Sequence, residues 1–574
     1  MKQLMLGNAA AARGLYEAGC GFVSSYPGTP STEITEAAAE YKEIYAEWAP
    51  NEKVAMEAAF GASLAGKRSF CGMKHVGLNV AADPLFTLSY TGINAGMVIG
   101  VADDPGMHSS QNEQDSRHYA EAAKLPMLEP SDAGESLSFA KLAYEISEQF
   151  DTPVFLKMCT RVAHSQSIVE LSDRTEPAEK PYEKNGPKYI MMPGFAKKRH
   201  PLVEEKIRLL AEYAEASPVN RVEAGTDHAL GFITSSTSYL YVKEVFGDRF
   251  PVLKLGMIYP MPEKKILDFA KTVEKVIVVE ELDPFIETFC RKLGVKVTGK
   301  ELFGPLGELS QNIIREKLGE SVPSGKKPEE EIPARPPVMC AGCPHRGLFY
   351  TLKKNKVTVF GDIGCYTLGA VAPLQSIDAV LCMGASVSGI HGFNKANGNA
   401  SAGKTVCVIG DSTFMHSGMT GLANVVYNGS DSTVIILDNS ITGMTGHQQN
   451  PTTGFNLKGD PAAKIDLESL CRGLGVKRVQ VVDPYDLKAC DRVLKEELAA
   501  KEPSVIISRR PCALLKYVKH PGPLTVDASK CVGCRNCLKI GCPAIDLSSG
   551  KVSIDQTLCT GCKVCSQLCP AGVL

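Results

Sequence analysis

The chain has no charge excess of either sign: 62 lysines and arginines stand against 64 aspartates and glutamates in 574 residues. That balance excludes the basic footprint of a nucleic-acid binder, and bulk electrostatics names no partner. Nowhere does an apolar run reach the length of a membrane span. The opening segment MKQLMLGNAAAARGLYEAG also lacks the long apolar core of a secretion signal. The expectation is therefore a soluble cytoplasmic protein with neither membrane nor nucleic acid as partner. In a reducing compartment the 20 cysteines are not a disulfide framework, and a chain of this size needs none. Metal or cluster ligation is the better reading of those that cluster.

What is present is an alternation of apolar strand-like runs and Ala/Gly-rich helical stretches, the pattern of parallel α/β layers. GFVSSYP, KRSFCGM, AGMVIGVADD and TPVFLKM read as strands in a first domain, 1–170. A Pro- and charge-rich linker, LSDRTEPAEKPYEKNGPK, leads to a second domain, 189–320, with strands GFITSS, VLKLGMIYP and KVIVVEEL. Beyond a second linker, SVPSGKKPEEEIPARPP, a third α/β domain spans 338–515, its strands VTVFGD, DAVLCMG, TVCVIGD and STVIILDN. The fold class is thus three α/β domains plus a small module, 524–574, too short to bury a core of its own.

That module carries CVGCRNCLKIGCPAI and CTGCKVCSQLCPAGVL. Three thiolates spaced C-x2-C-x2-C wrap one face of a cubane cluster, and the remote fourth cysteine crosses to the other cluster. Crossed ligation assigns Cys531, Cys534, Cys537 and Cys569 to one [4Fe-4S] cluster and Cys559, Cys562, Cys565 and Cys542 to the other. Structural zinc sites favour two separated CxxC knuckles and fit less well. LKIG places four residues before Cys542 where three are usual, so a local bulge is expected. The whole resembles the bacterial two-cluster ferredoxin domain.

The stretch TVCVIGDSTFMHSGMTGLANVVYNGSDSTVIILDNSITG reads as a βαβ unit, with a helix from about Ser417 and with Asp411 and Asn439 at the carboxyl ends of its strands. Ligands of open α/β sheets bind at such ends. A carboxylate, an amide oxygen and a nearby carbonyl suit Mg2+, which often bridges to a diphosphate, and Gly410 would let the backbone approach the phosphates. An ordinary strand-end turn is the alternative. The segment resembles the GDG…NN fingerprint of thiamine diphosphate enzymes, with Ser412 in place of the third glycine and Asp438 in place of the first asparagine. By that resemblance Asp411, Asn439 and the Ile441 carbonyl hold Mg2+, while Gly410, Ser412 and Thr442 line the cofactor.

Such enzymes need a glutamate at the cofactor's aminopyrimidine, because the protein supplies positioning and proton control. In APNEKVAMEAAFGASLAGK that glutamate is Glu52, at the start of a helix of small residues. Its alternative role is to complement a helix N-terminus. Glu57 stands too close to Gly61 for the pattern.

SSYPGTPSTEI, ADDPGMHSSQNEQDSRHYA, CAGCPHR and GDSTFMHSGMTGL together resemble the alpha subunits of indolepyruvate-type 2-oxoacid:ferredoxin oxidoreductases over essentially the whole chain. The resemblance implies a pyrimidine-binding domain, a transketolase C-terminal-like domain, a diphosphate-binding domain and the ferredoxin module, in that order. It places Thr29 toward the substrate, and Cys340, Cys343, Cys365 and Cys512 where relatives hold a third [4Fe-4S] cluster; otherwise these are buried or free thiols. His108, Arg117 and His416 fall in family-like stretches, Arg117 suiting a substrate carboxylate or a CoA phosphate. His345 and Arg346 are candidates for phosphate contact. Implied activity is oxidative decarboxylation of an aryl 2-oxoacid with CoA, electrons leaving through the clusters to ferredoxin; the alternatives are the same reaction on pyruvate, 2-oxoglutarate or phenylglyoxylate, or a non-oxidative thiamine diphosphate-dependent decarboxylation. No segment matches the further domain that completes the site in relatives, so a smaller second subunit is expected, in a hetero-oligomer built on a dimer of this chain. The remaining cysteines, Cys20, Cys71, Cys159, Cys290, Cys382, Cys407, Cys471 and Cys490, are expected in the core.

Overall fold

Strands buried on both faces should read as continuous apolar runs, and these do. In the computed structural model, Val154–Cys159, Thr405–Gly410 and Thr433–Asp438 are each buried from end to end. The structure describes residues 1–178, 180–325, 328–547 and 550–574, so Glu179 of the first linker and Lys326 and Lys327 of the second lie outside the described residues. The chain divides into two compact units, residues 1–327 and 328–574.

The first unit contains a seven-stranded sheet in the order Met257–Tyr259, Met127–Leu128, Val154–Cys159, Met97–Asp103, Ser69–Lys74, Phe22–Ser25 and Tyr45–Trp48. It is parallel except at its first strand, which runs antiparallel to Met127–Leu128. That strand comes from VLKLGMIYP, whose first half, Val252–Leu255, pairs instead in a five-stranded sheet beside Leu230–Ser235. One apolar run thus feeds two sheets, and Ile99 and Phe155 share a core with Ile233, Leu255 and Phe285.

A five-stranded parallel sheet organises the second unit, in the order Thr358–Phe360, Thr405–Gly410, Thr433–Asp438, Ser504–Arg509 and Arg478–Val482. DAVLCMG does not join it as a strand: Ala379 makes a single bridge to Phe360, and Leu381 and Cys382 lie exposed, so Cys382 is not a core residue. The other seven isolated cysteines are buried. The helix expected from about Ser417 begins at Asp411, runs through a π turn, Phe414–Gly418, and continues as Met419–Tyr427. The cysteine-rich tail packs on the helix Leu487–Leu498: Ile540, Val552 and Val564 share an apolar cluster with Leu487, and Gln567 accepts from the Leu487 amide at 3.0 Å.

Candidate cofactor and cluster sites

Asp411 follows its strand directly and is buried at the first helical residue, while Asn439 follows the neighbouring strand. The Asn439 amide turns its oxygen toward two other oxygens, Asp411 Oδ1 at 3.2 Å and the Ile441 carbonyl at 2.8 Å. Half a turn of the amide would make it a donor to both. As oriented, three oxygens converge with no N–H among them. Oxygens about 2.1 Å from an octahedral Mg2+ stand about 3.0 Å apart along an edge, so the spacing fits that ion. Burial, with the nearby Asp438, pushes Asp411 up to about 7. A bound cation would relieve that cost. Thr452 donates to Asp411 Oδ2 at 3.1 Å, and Thr442 donates to Ser412 Oγ at 2.9 Å. A Cβ at Gly410 would lie 2.8 Å from the Tyr366 ring. His416 is buried on the π turn with Nδ1 2.6 Å from Ser417 Oγ.

The same loops carry thiols. The Cys512 amide donates to the Asn439 carbonyl at 2.9 Å, and a Cβ at Gly443 would lie 3.5 Å from Cys365 Sγ and 3.9 Å from Asn439 Nδ2. Burial pushes Cys343 up to about 12, with Cys340 and Cys365 adding to the rise. Cys365 is raised by burial and then by Cys512 and Cys340. Cys512 is raised by burial and then by Cys340 and Asp411. Thiols from three separated segments thus lie close enough to oppose one another's ionisation. Thiols that oppose each other's ionisation suit a cationic iron core that takes them as thiolates.

In the tail, Cys531, Cys534, Cys537 and Cys569 line one cavity with Leu547, Val552 and Val573. Cys565 is pushed up to about 12 by burial and by its neighbours Cys562, Cys542 and Cys559. Cys542 thus faces the second run and Cys569 the first. The additional residue is taken up in the 3-10 turn Asn536–Ile540, closed by Gly541 at φ +67°. A Cβ at Gly541 would lie 2.7 Å from Pro373.

In the first unit, Glu52 is buried at the first position of the helix Glu52–Leu64, behind Asn51, whose side chain accepts from the Val54 amide. Its carboxylate lies directly over Gly77, where any side chain would collide with it. Glu57 points outward and pairs with Lys53 on the surface. Thr29 is half-buried in the loop after Phe22–Ser25. His108 is exposed, with Nε2 3.2 Å from Glu308 Oε2.

Two arginines depart from expectation. Arg117 is buried and donates to both Asp115 oxygens, to Glu280 at 2.7 Å and to the carbonyls of Glu281 and Asp283 at 2.8 and 3.0 Å. A guanidinium so engaged is not placed to take a substrate carboxylate or a CoA phosphate. Arg346 donates to main-chain carbonyls rather than standing open to phosphate, and His345, which burial pushes down to about 4, packs edge-on to Tyr366. Sequence reasoning missed Tyr366, Thr452 and Asp362, which accepts from the amides of Gly384 and Ser386 and so fixes the start of the helix Ala385–Asn397. The GDIG stretch before Cys365 was the available signal for Asp362.

Residues 362–508 match the family described as thiamine pyrophosphate enzyme, C-terminal TPP binding domain. Residues 13–225 match pyruvate flavodoxin/ferredoxin oxidoreductase, thiamine diP-bdg, and 552–574 match the 4Fe-4S binding domain. Indolepyruvate oxidoreductase subunit IorA of Archaeoglobus fulgidus is 41% identical, covering 99% of this chain and 96% of its own. The IorA subunit of Pyrococcus horikoshii is 39% identical over 100% of this chain and 96% of its own. Subunit KorA of the Archaeoglobus fulgidus 2-oxoglutarate synthase is 26% identical over 56% of this chain and 98% of its own. Among the described residues no helix is long and apolar enough to cross a membrane. With thiamine-binding and iron–sulfur segments in one chain and near-complete coverage at about 40% identity, the chain belongs to the IorA family of indolepyruvate oxidoreductase subunits.

Proposed function

We propose that the chain is the cofactor-bearing subunit of a thiamine diphosphate-dependent 2-oxoacid:ferredoxin oxidoreductase acting on aryl 2-oxoacids such as indolepyruvate. The overall reaction takes one 2-oxoacid anion, one CoA thiol and two oxidised ferredoxins to one acyl-CoA, one CO2, one proton and two reduced ferredoxins. One observation carries the reading: the oxygens of Asp411, Asn439 and Ile441 converge on loops that share main-chain contact with Cys512. That contact supports a carbon-centred reaction beside an electron exit.

Thiamine diphosphate, when bound, supplies the nucleophilic carbon and the electron sink for loss of CO2. Asp411, Asn439 and the Ile441 carbonyl would hold its Mg2+, with Ser412 and Thr442 beside the diphosphate. Glu52, buried at a helix start, would hold the proton shared with the aminopyrimidine ring. Thr29 and His108 are assigned to the substrate side, and His416, buried on the turn after Asp411, to proton transfer there. Cys340, Cys343, Cys365 and Cys512 would hold a third [4Fe-4S] cluster, and the tail thiols the other two, as exits to ferredoxin. The segments 1–170, 189–320, 338–515 and 524–574 serve as pyrimidine-binding, transketolase C-terminal-like, diphosphate-binding and two-cluster ferredoxin domains. A smaller second subunit completes the enzyme, on a dimer of this chain.

The test is an anaerobic substrate panel on the chain with its second subunit. Reduction of ferredoxin should require both CoA and an aryl 2-oxoacid. Equal turnover of pyruvate or 2-oxoglutarate would reassign the substrate, and aldehyde release without ferredoxin reduction would reject the oxidative reaction. Asp411→Ala should abolish retention of thiamine diphosphate while leaving cluster absorbance intact; unchanged cofactor content would reject the metal site.

A further inference from the structure

CAGCPHR holds a cation as well as two thiols. Arg346 is buried on the first turn of the helix His345–Asn355, and its guanidinium reaches both ligand-bearing segments of the second unit. Nε donates to the carbonyl of Cys340 at 3.0 Å, and Nη2 donates to the carbonyl of Met339. Nη1 donates to the carbonyl of Ile540 at 3.2 Å and to that of Gly541, the residue before Cys542. Among the described residues no carboxylate pairs with it; the titratable groups that act on it are the thiols of Cys542, Cys343, Cys340 and Cys562. The surrounding loops are closed by further contacts: Gly342 lies against Thr560, and Tyr485 Oη donates to the Gly342 carbonyl.

A buried cation without a counter-charge is costly unless an anion arrives. The anions that fit are the thiolate-ligated iron–sulfur groups on either side. A positive charge in a low-dielectric setting also stabilises the more negative, reduced state of a neighbouring redox group.

We propose that Arg346 is the positioning residue that joins the Cys340/Cys343 cluster to the Cys542/Cys562 cluster, holding their loops at fixed separation and raising the reduction potentials of both. The inference rests on the cluster reading above. It also sets a limit: Cys531, Cys534, Cys537 and Cys569 line a separate cavity, so the cluster proposed there is expected to respond least to Arg346.

The test is an EPR-monitored redox titration of the intact chain with its second subunit, comparing wild type with Arg346→Met, Arg346→Gln and Arg346→Lys. For the neutral variants the expected result is a shift of two of three reduction steps to more negative potential, the third unmoved. Arg346→Gln carries the same expectation should Arg346→Met fail to assemble clusters. Arg346→Lys keeps the charge and loses the fork, so its potentials should stay near wild type while amide hydrogen exchange at 540–541 rises at least tenfold. Unchanged potentials in the neutral variants, or equal shifts of all three steps, would overturn the proposal. A wild-type protein with no signal from the Cys340/Cys343 site would instead reject the third-cluster reading on which it rests.

Discussion

Two arginines are buried in this molecule for opposite reasons. Arg117, in the first unit, is balanced: Asp115 and Glu280 meet it, and its pKa is driven well up despite burial. Although burial works against ionisation, the guanidinium holds Asp115 down to about 2. Arg346, in the second unit, meets carbonyls and thiols, and burial lowers its pKa. A balanced guanidinium holds a fold together by itself. An unbalanced one marks a place where the folded chain is short of negative charge, so the charge bookkeeping of a buried arginine separates structural from ligand-directed roles better than its motif does.

Removing the balanced cation should do the most damage. Arg117→Leu removes the ion-pair partner of buried Asp115 and Glu280, leaving them only the more distant Lys157 and Lys300, and should cost about 3–5 kcal/mol in chemical denaturation.

A carboxylate beside that network supplies the pH dependence. Burial pushes Glu281 up to about 7, with the Leu309 amide opposing the rise. Between its ordinary value of 4.5 and about 7 the folded chain keeps a proton that the unfolded chain has lost, so this group takes stability away as pH rises through that window. The loss reaches up to about 3 kcal/mol and is flat above it. Glu281→Gln, neutral at every pH, should remove that slope when denaturation midpoints at pH 5 and pH 8 are compared.

Arg346→Met should cost less than its counterpart, about 1–3 kcal/mol, since carbonyls rather than carboxylates lose their donor. A loss as large as that of Arg117→Leu would erase the contrast. The smallest effect belongs to Gly541→Ala. A left-handed non-glycine residue costs about 1–2 kcal/mol, and the new methyl would meet Pro373 and approach Arg346 Nη1. Loosening should show as faster hydrogen exchange confined to 536–542.

Much of the fold was legible because parallel strands covered on both faces leave a near-continuous apolar signature, as in TVCVIG and TVIILD. The same signature misled at DAVLCMG, whose apolar residues lie on the surface, and a sequence does not show what an exposed apolar run faces. VLKLGMIYP was read as one strand because composition does not reveal that its halves join different sheets. The helix start was placed late because Gly, Ser and Thr after Asp411 suggest a loop, whereas here they tighten a first turn and a π turn. At the candidate site, residue types were enough to single out Asp411, Asn439 and the cysteine runs as the groups to place. They were not enough for Arg117, whose partners Glu280, Glu281 and Asp283 lie more than 160 positions away.

The four residues between Cys537 and Cys542 carry one last consequence. Ile540 and Gly541 both present their carbonyls to the Arg346 fork, and Gly541 leaves no room for a side chain against Pro373. The tail looks like an interchangeable part, of the kind that gene fusion can move between proteins. Its spacing makes it a keyed one: a ferredoxin segment with the usual three residues would offer its host a differently cut key, and this host has one lock.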